Sequence, residues 1–216
     1  MKIKPDSWTI VIVGSWNLAT FTPEWLVEHI FYDVDIQVEV ALGYGMPFRF
    51  KSTSQGFTII PEQHRITLMA LKYDDISLPT MERAAYKLLD MLSYTPVTAI
   101  GFNFGFEDIS LSNLPFKYNF EDTTLFNGLG YLLTAQTINR RFIVDNSILN
   151  LSVTIKQDTV GIDFNFHYDL NSTGDYKDKV MRNIVEAKNI VTEVLKTGYG
   201  LNTDNISDSQ EIDEGP

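Results

Sequence analysis

The sequence contains no cysteine among its 216 residues. That excludes disulfides, thiolate metal sites, iron–sulfur clusters and cysteine nucleophiles. Positive charge is scarce: 17 Lys and Arg stand against 28 Asp and Glu, a net charge of −11. Phosphate backbones repel such a surface unless basic residues cluster, and the only adjacent pair is Arg140-Arg141. Nucleic acid is therefore not an expected partner. No apolar run approaches the length of a membrane helix, and the N-terminal "MKIKPDSWTIVIVG" lacks a signal-peptide layout. A cytoplasmic protein without a membrane partner is expected. Histidine is also sparse. His29, His64 and His167 are not at metal-ligand spacing, and no H-E-x-x-H, G-x-S-x-G or phosphate-loop motif occurs. No cofactor is expected.

What remains is an ordinary globular composition, 44% hydrophobic and 21% charged. "WTIVIV" at Trp8 to Val13 reads as a strand covered on both faces. Thr22-Pro23-Glu24 is a strong helix start, with Thr as N-cap and Pro in the first turn; it predicts a short helix from Pro23 to Phe31. Clean alternation follows in "DIQVEVAL", then two further strands and a Gly43-Tyr44-Gly45 turn. Met81, Ala84, Ala85, Leu88, Leu89 and Leu92 form the stripe of a longer helix capped by Ser77 or Leu78. Ile100, Phe102, Phe104 and Phe106 share one face of the next strand, and a long loop is expected from 108 to 130.

Three more strands and a helix starting near Asp175 complete the pattern, with Gly198 placed to end that helix. The pattern predicts an α+β fold: mostly antiparallel sheet packed on two longer helices. A single domain over 1–202 is expected, followed by an acidic disordered tail at 203–216. Segments 101–106 and 161–166 look alike, so two β-meander-plus-helix halves, 1–107 and 128–200, are one reading; shared period-two patterning is the other.

Few residues offer chemistry. His167 and Asp163 share the polar face of one strand and suit a metal or a proton transfer, or simply a solvated sheet face. Arg140 and Arg141 suit a carboxylate or phosphate clamp, or act as gatekeepers on an edge strand. Asp74 and Asp75 precede a helix, where paired acids suit a divalent cation or simply complement the helix dipole. In "GSWNLATFTPEW", Gly14 to Trp25, most residues have structural duties. Trp16 and Asn17 do not, and Trp16 is read as a lid on the core or an exposed partner anchor.

Together with "YTPVTAIGFNF" at Tyr94 to Phe104, this stretch resembles a group of uncharacterised bacterial proteins. They share a G-x-W-N…P-E-W element and a later T-P-V-x-A-[IV]-G-x-N element. The resemblance covers two short motifs and carries no activity. It implies a bacterial, cytoplasmic α+β protein.

The functional expectation is a non-enzymatic interaction or assembly subunit of a bacterial multi-protein system. Its partner is another protein or a second copy. Two alternatives stand beside it. One is an enzyme with a dispersed, metal-assisted site near His167 and Asp163. The other is an acidic inhibitor or antitoxin blocking a basic partner.

Overall fold

The computed structural model describes residues 1–31, 36–39, 48–108, 126, 128–145, 147–156, 159–170, 176–180 and 183–201. In chain order the elements are β1 (Lys2–Ile3), β2 (Thr9–Gly14), α1 (Pro23–Leu26, continued by a π turn Val27–Phe31), β3 (Gln37–Glu39), β4 (Arg49–Ser52), β5 (Phe57–Glu62), β6 (Arg65–Ala70) and α2 (Ser77–Met91). They continue as β7 (Val97–Asp108), β8 (Ala135–Val144), β9 (Ser147–Lys156), β10 (Val160–Asp169), α3 (Tyr176–Val180) and α4 (Asn183–Glu193), which ends in a π turn Val194–Gly198. The fold is α+β, as the patterning predicts. Among the described residues no helix is long and apolar enough to cross a membrane.

All ten strands join one antiparallel sheet, ordered β3-β4-β5-β6-β2-β7-β10-β9-β8, with β1 pairing β7 at its far end. The order repeats itself about the central β2–β7 pair. In one half β2 is followed by β3, β4, β5 and β6, and β6 folds back to pair with β2. In the other, β7 is followed by β8, β9 and β10, and β10 folds back to pair with β7. The meander has four strands in the first half and three in the second, and each leads into a helix.

The resemblance between 101–106 and 161–166 has a different origin. These segments lie on β7 and β10, which are antiparallel neighbours: Phe102 faces Phe166 and Phe104 faces Phe164. They look alike because they fill one aromatic layer together, not because they occupy equivalent places. The strand equivalent to β7 is β2.

Period-two alternation sends one face of this sheet into the core. Ile10, Ile12, Ile66, Leu68, Ile100, Phe102, Phe104, Phe164 and Phe166 pack with Leu78, Met81, Leu88, Ile184, Ala187 and Val191 in a single cluster. Both longer helices therefore serve the same face. Helix α2 starts one step earlier than its predicted cap. The Asp74 carboxylate accepts the Ile76 N–H at 2.9 Å and the Ser77 N–H at 2.6 Å. Ser77 is the first helical residue, and it also donates its hydroxyl to Asp74. A carboxylate placed before the first turn receives two of the orphan helix donors at once, which a Ser or Leu at 77 or 78 does not.

Strand β8 begins at Ala135, later than the run starting at Tyr131 suggested, and Tyr131, Leu132 and Leu133 stay exposed. The predicted Gly43-Tyr44-Gly45 turn, most of the 108–130 loop, the Asp175 helix start and the acidic tail lie outside the described residues.

Candidate functional site

The second sheet face is polar where β2, β7, β10 and β9 lie side by side. Register aligns Thr9 with Asn103, Asn103 with Asn165, and Asn165 with Asn150. Their side chains form a continuous row. Asn150 Nδ2 donates to Asn165 Oδ1 at 3.0 Å, Asn165 Nδ2 to Asn103 Oδ1 at 2.7 Å, and Asn103 Nδ2 to the Thr9 hydroxyl at 2.9 Å. Asn165 and Asn103 each accept from one side and donate to the other, with Asn150 as the first donor, so the row is directional and mutually polarising. On β8, Arg141 stands opposite Asn150 on the same face.

One residue pair along, Asp163 faces Ser152 on one side and Gly105 on the other. Lys4 reaches over from the N-terminal segment and binds Asp163 at 3.2 Å. The turn between β1 and β2 crosses directly above Gly105, where the Ser7 hydroxyl contacts the Gly105 carbonyl at 3.2 Å. A Cβ at position 105 would lie 2.6 Å from Ser7 and 2.8 Å from Asp163, so only glycine admits this approach.

The N-terminal turn on one side and β8 on the other enclose a cleft of about 580 Å³. Asn103, Asn150, Asn165, Ser152, Asp163, Asp6, Asn139 and Arg141 are among its lining residues. That volume falls within the range of small-molecule sites.

Of the residues singled out in the sequence, the structure brings Arg140, Arg141 and Asp163 to the lining of this cleft. His167 is not among its lining residues. It stands four residues beyond Asp163, about 13 Å along the strand, and bonds Asp169 at 3.0 Å. The two share a face but not a site. Among the described residues no group of three or more His, Asp or Glu side chains stands close enough to hold a metal ion. Arg140 and Arg141 also separate, because neighbouring side chains on a strand point to opposite faces. Arg140 faces the core side and donates to the Tyr199 hydroxyl at 3.2 Å.

Trp16 is 4% exposed and meets Phe21 edge to face, so it is a lid on the core. Its indole N–H is buried without a hydrogen-bond partner among the described residues. Asn17 is exposed, and its side chain accepts the Ala19 N–H at 3.2 Å to cap a 3₁₀ turn, Leu18–Thr20.

The asparagine row and the Lys4–Asp163 pair were not singled out from the sequence. Period-two reading puts Asn103 and Asn165 on polar faces of their own strands. Only the register between strands shows that they touch.

A second feature lies at the sheet margin. Among the described residues strand β8, ten residues long, ends the strand order, with β9 on its inner side alone. Ile143 is 88% exposed and Phe142 44% exposed at one end of it. At the other end Leu129, Tyr131, Leu132 and Leu133 are all more than half exposed. No protein-family model and no curated protein matches this sequence.

Proposed function

We propose that this protein is a non-enzymatic interaction or assembly subunit of a bacterial multi-protein system, and that it docks its partner along β8. The long edge strand with uncovered apolar ends carries this reading. Proteins ordinarily blunt such an edge by shortening, charging or covering it, because its free N–H and C=O groups recruit another strand. Large exposed apolar side chains grouped at one margin also mark contact surfaces. The strand carries Arg140 and Arg141 and no acid, so an apolar strand with neutral or acidic residues suits it best.

Light scattering on the purified chain, together with co-purification from its host, tests this. The expected result is an oligomer or a stable complex that Ile143→Asp disperses while the far-ultraviolet circular dichroism stays unchanged. A lone monomer in both experiments overturns the proposal.

A further inference from the structure

The asparagine-floored cleft lies on the sheet face beside the β8 edge and is a built polar site. We infer that it binds a small sugar acid, with the carboxylate held by Arg141 and the hydroxyl-bearing body lying on the asparagine row.

Charge comes first. Arg141 is exposed at the cleft rim and makes no hydrogen bond or ion pair among the described residues. A guanidinium fork matches a carboxylate with two parallel hydrogen bonds. The other local charges cancel in part: Lys4 already neutralises Asp163. With Arg140, Arg141 and Asp6 included, the cleft and its border hold three cations against two anions. On a chain of net charge −11 this is a place where one further negative charge meets little repulsion.

The floor decides the rest of the ligand. A side-chain amide has two N–H donors and an oxygen with two lone pairs. Within the row, Asn103 and Asn165 each spend one donor and one acceptor position, and Asn150 spends one donor. Each therefore keeps a donor and an acceptor. Asn139 and Ser152 add more of both at the β8 side. A hydroxyl is also donor and acceptor together, so neighbouring hydroxyls on a sugar ring or chain satisfy such a floor. An apolar body would cover these groups and leave them unpaired, a net loss. A bare carboxylate such as acetate reaches Arg141 but leaves the floor unused.

Isothermal titration of the full chain with D-glucuronate, D-galacturonate and D-gluconate tests this, with D-glucose and acetate as the arms that isolate each half of the ligand. At least one sugar acid should bind tenfold or more tighter than either control. Arg141→Gln should weaken that binding at least tenfold. Arg49→Gln, on β4 and outside the cleft lining, should leave it unchanged. Ile143→Asp should leave it unchanged too, which separates this site from the docking edge. The inference is overturned if none of the three acids binds, if acetate binds as well as they do, or if Arg141→Gln has no effect.

Discussion

The two halves of the sheet share a strand order and differ at their margins. Among the described residues the first half ends on β3, three residues long, beside β4 with only four. That margin is charged, with Arg49 exposed and Lys51 paired to Glu39 at 3.9 Å. The second half ends on ten-residue β8 with exposed Phe142 and Ile143. Shortness and charge are the usual devices that keep an edge from recruiting strands, and only the first margin has both. The polar faces differ as well. The hydrogen-bonded asparagine row lies on β7, β10 and β9 of the second half and reaches the first only at Thr9. The first margin also exposes Val38 and Phe48, so shortness and charge, rather than an absence of apolar residues, set it apart from the half that carries both candidate surfaces.

The halves are not independent, and the largest expected effect comes from cutting the seam between them. Trp8 is 1% exposed at the start of β2. Its ring meets Tyr73 of the first half edge to face at 5.1 Å. On the second half it meets Phe104 at 5.1 Å and Phe106 at 5.6 Å. Its indole N–H donates to the Gly105 carbonyl at 3.3 Å, directly beneath the cleft wall. Trp8→Ala should cost about 3–5 kcal/mol, read as a lower midpoint in urea. If the halves act as one cooperative body the transition stays single; two separated transitions would break that view. A loss under about 1 kcal/mol would mean that Trp8 does not join them, given the usual cost of such a cavity.

Helix starts sharpen the comparison further. Helix α4 takes its N-terminal partner from the other half: Glu82 of α2 is 4% exposed and accepts the Ile184 N–H at 2.9 Å. Glu82→Ala would leave that donor buried without its acceptor, at a cost of about 1–3 kcal/mol. Glu82→Gln keeps an acceptor oxygen and should recover part of the loss. Hydrogen exchange at the Ile184 amide should quicken in the alanine variant before α2 itself opens. Equal quickening in both helices would show that Glu82 supports α2 rather than linking the units.

These couplings mark where reading the sequence stops. The strands β7, β9 and β10 and the stripe of α2 were legible, because alternation and helical spacing are local properties of the chain. The start of α1 was legible too: Thr22 accepts the Trp25 N–H at 3.2 Å, as its Thr-Pro-Glu pattern predicts. Pairing was not legible. Nothing local in "TIVIVG" marks it as the counterpart of "VTAIGFNFGFED", since one is all aliphatic and the other alternates glycine with phenylalanine. The likeness of 101–106 and 161–166 left duplication and shared period-two patterning open from sequence, and only the structure shows the two segments side by side, Phe102 with Phe166 and Phe104 with Phe164. The cleft depends wholly on register: Asp163, Lys4 and Gly105 meet only because β10, the N-terminal turn and β7 converge. Arg140 and Arg141, adjacent in sequence, end on opposite faces for the same reason that alternation made the strand readable.

The smallest expected effect lies within the first half. Helix α2 is capped by Asp74, while the neighbouring Asp75 pairs with Lys188 of α4 at 2.7 Å. The Ser77 N–H, above all, holds the Asp74 carboxyl below its ordinary range, with the Ile76 N–H and the Ser77 hydroxyl adding to it. A depressed carboxylate stabilises the fold above its unfolded pKa of about 3.9, and that contribution is lost as pH falls through the lower folded value. Asp74→Ala should therefore cost about 1 kcal/mol at neutral pH, the usual worth of such a cap. The gap to the parent protein should close in acid. Asp74→Asn, which keeps an accepting oxygen without the titrating charge, should show a smaller gap at neutral pH, and that gap should shrink in acid in parallel with the alanine gap, because both follow the titration of Asp74 in the parent. Protection of α4 amides should be unaltered in both variants at neutral pH, in contrast to Glu82→Ala. If the alanine gap stays constant from neutral pH into acid, the charge on Asp74 contributes nothing and the cap acts through hydrogen-bond geometry alone.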